Sequence, residues 1–235
     1  MMTGIVTGAL LAGCGSEGNP EIRQAGIVAV ADFKSTYGCD VPTSVKVEKL
    51  DIEANPALGQ GAPSIVAGTA EPGVITLDPV LNKIEQNMPG ALLHSALHES
   101  AHACTHELRY AEPYLIAGAG IRMIGAVGLS AVGIDAAGET QNFALIEEGA
   151  AELLASSISN FTSNGPGFSN LAGITQELIQ KHGITLQELQ DYQERSDLIG
   201  FVATIKGLTK QQVSAPVIEG FFNYYIVELR RRSTS

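Results

Sequence analysis

Between Ala91 and Arg109 two patterns run side by side with the period of an α-helix. Leu93, Leu97, Ala101, Cys104 and Leu108 recur at spacings of four and three, an apolar stripe that has to face a core. His94, His98, His102 and His106 recur every fourth residue, about 100° around the same helix. The chain has 5 His, and all but His182 fall in this stretch. The segment is therefore expected to be a helix with one side against a core and a ladder of imidazoles beside it.

Within the ladder, His98-Glu99-Ser100-Ala101-His102 reads H-E-x-x-H. Two His four apart share a helix face one turn apart, so both imidazoles can reach one ion. The Glu after the first His projects beside that ion, where it can take a proton from water. Only one register allows this. His94 is followed by Ser95 and His102 by Ala103, and His106-Glu107 has Tyr110 four residues after His106. The pair is therefore His98 and His102, with Glu99 as the catalytic base. His94 to His106 spans about 18 Å of helix, too far for one ion to use all four. His94 and His106 are read as rim or second-shell residues.

A catalytic zinc keeps three protein ligands and an open position. No His follows at the close spacing H-E-x-x-H-x-x-G-x-x-H, so a carboxylate from another helix is the alternative. Leu145-Ile146-Glu147-Glu148-Gly149-Ala150-Ala151-Glu152 resembles the E-G-x-A-E segment of gluzincin metallopeptidases. The resemblance implies zinc (Zn2+) as cofactor, with Glu148 as third ligand beside His98 and His102. It also implies an α+β, zincin-like fold, in which a small sheet packs on the H-E-x-x-H helix and a mostly helical C-terminal part follows. The order of the strand ending near Leu77, the helix 91–109 and the helix 142–160 is the gluzincin order. The separation of His102 from Glu148 is longer than that group commonly shows, and residues 113–138 account for the excess.

Glu152 lies on the same helix face as Glu148 and is placed to hydrogen-bond the far nitrogen of a ligand His. Glu147 points about 100° away and suits ligation less well. The small run Gly149-Ala150-Ala151 is expected to let this helix approach the first one closely. Oxyanion stabilisation could fall to His182, Tyr192, Tyr224 or Tyr225, and nothing in the pattern selects one.

Composition narrows the partners. Of 235 residues, 45% are hydrophobic and 17% charged, which suits a buried core and excludes wholesale disorder. A net charge of −11 builds no phosphate-binding surface, so nucleic acid is not an expected partner. Residues 1–13 are apolar and uncharged, shorter than the ~20 residues a membrane helix needs and suited to a signal peptide. Leu11-Ala12-Gly13-Cys14 resembles the lipobox of bacterial lipoproteins, which implies lipidation at Cys14 and a tether over 14–20. Outside the cytoplasm Cys39 and Cys104 could pair as a disulfide; each could equally be a small buried side chain.

The remaining chain, 21–235, reads as a single domain. A helix is expected over 20–37, strands over Thr43–Ile52 and Gly73–Leu77, and a loop or wide hairpin over 54–72. Further helices are expected over Asn142–Asn160, Leu171–Lys181, Leu186–Ile205 and Val217–Arg232. The Gly/Ala-rich insertion 113–138 reads as an apolar loop or hairpin over the cleft, able to act as a lid or touch lipid, or as a buried hairpin. Arg122 and several Gly argue against a membrane helix there. The expected function is zinc-dependent peptide-bond hydrolysis by a lipid-anchored metallopeptidase of the bacterial cell envelope, with a peptide or protein substrate. The alternative is a catalytically silent zincin-fold binding or scaffold lipoprotein. Glu99 argues against it, since a binding module has no use for a general base.

Overall fold

The computed structural model describes residues 19–50, 67–104, 137–161, 166–195 and 197–233. The first helix, α1 (Pro20–Tyr37), starts where Asn19 accepts a hydrogen bond from the Glu21 amide at 3.0 Å, with Pro20 in the first turn. It stops at Gly38, whose φ of 73° is the left-handed conformation that glycine adopts freely.

A three-stranded sheet follows, in the order β1 (Ser44–Val47), β3 (Val74–Leu77), β2 (Gly68–Glu71). β1 runs parallel to β3, pairing Val45 with Ile75, and β2 runs antiparallel, pairing Ala70 with Ile75. The two-residue turn Pro72-Gly73 joins β2 to β3, with Gly73 at φ 74°. β3 is central because its Ile75 and Leu77 are fully buried. The expected strand at Thr43–Ile52 is shorter than read, and the loop or hairpin expected over 54–72 ends in a strand. The sequence Gly-Thr-Ala-Glu has no apolar alternation to announce it.

Two helices cover the sheet. α1 lies against β1 and β3, close enough that a Cβ on Gly26 would sit 2.6 Å from Val45 Cγ1. The second is α3 (Ala91–Ala103), which lies against β2, β3 and α1. Leu97 and Ala101 of the predicted stripe are fully buried there, and residues 105–109 lie outside the described chain. The N-terminus of α3 has only Gly90 as its own cap. The short helix α2 (Leu81–Asn87), unpredicted, supplies the missing acceptor. Glu85 takes hydrogen bonds from the amides of Gly90 and Leu92, both at 2.8 Å, placing an anion at the positive end of the helix dipole. At the other end Gly73 N–H donates to Ala103 O at 3.0 Å, and Cys104 is disulfide-bonded to Cys39, with Cα atoms 6.0 Å apart.

The rest is helical: α4 (Ala137–Ser159), α5 (Pro166–His182), α6 (Leu186–Glu194), α7 (Leu198–Lys206), a short 3-10 turn and α8 (Ala215–Ser233). α4 packs between α3 and α5, and α8 packs on α5. The single helix expected over Leu186–Ile205 is two. Asp197 accepts the Gly200 amide at 2.9 Å as an N-cap, so the second helix starts afresh without any Gly or Pro to mark the break. The fold is α+β, a small sheet with mostly helical content after it. Among the described residues no helix is long and apolar enough to cross a membrane.

Candidate metal centre

The imidazole ladder of α3 faces a second ladder on α4. His102 Nε2 lies 3.6 Å from Glu148 Oε2, His98 contacts both Glu148 and Glu152, and His94 contacts Glu152 and Ser159. As residue numbers fall by four along α3 they rise along α4, so the two helices run antiparallel with the same four-residue step. The helical period places all these groups on the facing sides of one helix pair.

Three donor atoms converge at one end. His98 Nε2 is 2.9 Å from Glu148 Oε2, His102 Nε2 is 3.2 Å from His98 Nε2, and His102 Nε2 is 3.6 Å from Glu148 Oε2. Donor atoms that share one small metal ion stand about 3–4 Å apart, and the triangle has that size. His98, His102 and Glu148 could thus hold a metal ion.

The charges around the triangle are strongly coupled. Burial works against the charged form of His98, but hydrogen bonds to Glu148 and Glu152 more than offset it and hold the imidazole well above its ordinary value. His102 is also raised, the Glu148 charge overcoming burial. Burial favours a neutral Glu148, yet His102 and His98 hold its carboxyl well below the ordinary range. Glu148 therefore stays an anion facing the two imidazoles.

Glu152 sits behind His98. It is 4% exposed, and its Oε2 accepts the Nδ1–H of His98 at 3.2 Å. That bond puts the proton of a neutral His98 on Nδ1 and leaves Nε2 a lone pair aimed at the triangle. Burial opposes the Glu152 charge, but its bonds to His94 and His98 pull the carboxyl down to about 2.

Glu99 occupies the sheet side of α3, half-buried against β2. A Cβ on Gly68 would lie 2.7 Å from Glu99 Cγ and 2.9 Å from Oε1, so the carboxylate rests on bare backbone. Burial lifts its carboxyl above the ordinary value, with the Glu148 charge adding and the two imidazoles opposing, the direction that suits a general base. Burial also raises Glu147, with His102 opposing and Glu148 adding.

Gly149 does not do what its neighbours suggested. A Cβ there would meet Thr175 Oγ1 and Tyr225 Oη at 2.6 Å and Leu171 O at 2.9 Å. It opens the approach of α5 and α8 to α4 from behind, and Glu148, one residue earlier, is left to face α3. Tyr225 is buried in that rear contact, donating to Leu171 O at 3.2 Å. Tyr192 pairs with Thr204 at 2.7 Å, and Tyr224 is 48% exposed. Cys14, His106 and most of 113–138 lie outside the described residues.

Gly68, Ser159 and Phe161 were not found by motif. Each reaches the site through a contact between elements distant in sequence, where no short spacing signals it. Set against protein-family models, curated proteins and solved structures, the chain matches none.

Proposed function

We propose that the chain is a zinc metallopeptidase of the gluzincin kind, with a zincin-like fold, hydrolysing peptide bonds at the face shared by α3 and α4. The observation that carries the reading is the triangle of His98, His102 and Glu148, with sides of 2.9, 3.2 and 3.6 Å, beside the half-buried Glu99. Zinc, when bound, supplies Lewis acidity toward a carbonyl oxygen and renders water acidic enough to ionise near neutral pH.

The chain's own residues supply the rest. Glu148 keeps its charge and so holds the cation. Glu152 fixes the nitrogen of His98 that faces it. Glu99 accepts the proton of the water whose oxygen bonds to the scissile carbonyl carbon. As the C–N bond breaks, Glu99 delivers that proton to the departing amine. A carboxyl raised by burial takes up and releases this proton more readily near neutral pH than an ordinary one.

The reading extends to location. We infer that Cys14 carries a lipid and tethers the protein to the bacterial cell envelope, outside the cytoplasm. The bond between Cys39 and Cys104 supports a compartment that permits disulfides.

The test is the metal content and peptidase activity of the purified chain and two variants. Unmodified protein is expected to hold stoichiometric zinc and to cleave an unfolded protein substrate. Glu148→Ala should lose both. Glu99→Ala should keep zinc and lose cleavage by about 10²–10⁴-fold, the range for a general base. Zinc without cleavage of any substrate would favour the silent binding module, and no zinc would remove the site assignment.

A further inference from the structure

Glu152 holds both carboxylate oxygens under imidazoles. Oε2 accepts from His98 at 3.2 Å, and Oε1 accepts the Nε2–H of His94 at 3.0 Å. His94 is itself 5% exposed, a full turn of α3 behind the ligand pair, and its other nitrogen lies 3.0 Å from Ser159 Oγ. The Ser159 end is fixed too. Its hydroxyl donates to Ala155 O at 2.9 Å and accepts the Phe161 amide at 3.2 Å. Asn160, at φ 53°, ends α4 in a left-handed turn, and the Phe161 ring then lies 5.0 Å from the His94 ring.

A buried carboxylate oxygen without a donor is costly, so Glu152 needs a second N–H once His98 has taken the first. An apolar residue at 94 could fill the space but not meet that need. Both nitrogens of His94 lie 3.0 Å from a polar partner, Glu152 Oε1 and Ser159 Oγ, which restrains its ring and with it the carboxylate between the two imidazoles.

We propose that His94 is a positioning residue for the metal centre: held by Ser159, it orients Glu152, which in turn sets the rotation and tautomer of His98. The inference rests on the zinc reading above and adds a residue that never touches the metal. It predicts that a change about two helical turns from His102 alters metal affinity through one carboxylate.

The experiment measures zinc affinity by competition with a chromophoric chelator, together with the visible spectrum of the cobalt-loaded protein. It uses the full chain and the variants His94→Phe, His94→Gln, Glu152→Gln and the double variant His94→Phe/Glu152→Gln. His94→Phe should weaken zinc binding about 10–100-fold, the range for loss of an outer-sphere partner, and shift the cobalt spectrum. His94→Gln, which can present an N–H near the same place, should recover most of the affinity. Because His94 acts through Glu152, the double variant should lose no more than the worse single one.

Wild-type affinity and spectrum in His94→Phe would overturn the inference, as would fully additive losses in the double variant. Absence of zinc from the unmodified chain would instead overturn the site assignment and this inference with it. If His94→Phe does not fold, Ser159→Ala takes its place, and unchanged affinity and spectrum there would overturn the Ser159-to-His98 chain of contacts.

Discussion

A methyl group on Gly68 would lie within 3.0 Å of three Glu99 atoms: Cγ, Cδ and Oε1. Those atoms belong to the far end of a flexible side chain, so the strand need not move; the carboxylate would swing aside instead. Gly68→Ala should therefore leave the urea midpoint and zinc content close to those of the unmodified protein. If the proposed peptidase function holds, it should lower turnover about 100-fold, the cost of misplacing a catalytic group by about 1 Å. Unchanged turnover would mean that Glu99 works from another position. The contrast between Gly68 and His98 shows what was legible in the sequence. His98, Glu99 and His102 follow from spacing within one helix, Glu148 from the resemblance of its segment to the gluzincin one, and Glu152 from a four-residue step beyond it on the same face. Gly68 meets Glu99 only because β2 lies on α3, and no local pattern encodes that.

At the scale of elements, the rear of α4 is as constrained as its front. Gly149→Ala would place a methyl 2.9 Å from a backbone carbonyl and 2.6 Å from two hydroxyls, all in packed elements. In an open helix position this change stabilises by up to about 1 kcal/mol. Here the sign should reverse, to a loss of about 1–3 kcal/mol, read as a Tm lower by roughly 2–10 °C. A Tm at or above that of the unmodified protein would show that α5 and α8 can retreat. Helix boundaries were legible where side chains advertise them: Asn19-Pro20 opens α1 and Gly38 closes it. They were hidden where one side chain does the work, as Asp197 does in separating α6 from α7. α2, the shortest α-helix, and β2, a four-residue strand without apolar alternation, are held by tertiary contacts and display no period.

Two predictions concern the whole molecule. The Cys39–Cys104 bond closes a sequence separation of 65 residues and ties the end of α1 to the end of α3. Reducing it, or replacing both Cys by Ala, should cost about 2–4 kcal/mol in urea unfolding. Equal unfolding midpoints with and without reductant would overturn this. The second is alkaline. Burial raises the Tyr225 hydroxyl well above its ordinary value of 10.0, with its hydrogen bond to Thr175 opposing. The unfolded chain releases that proton at lower pH than the folded one, so stability is fully present below about pH 10 and falls as pH rises beyond it. The slope approaches about 1.4 kcal/mol per pH unit. Tyr225→Phe should flatten the slope, although it also removes the bond to Leu171 O.

The anchoring of α3 and α4 has a consequence for how the site could diversify. α3 is fastened at Ala103 and Cys104 by the hairpin and the disulfide, and α4 is fastened at Gly149 by α5 and α8. Each wall of the site is therefore held by partners of its own among the described residues. Selection could thus adjust the spacing of the two ladders from Gly73, Cys39 or Gly149 while leaving the triangle of His98, His102 and Glu148 alone.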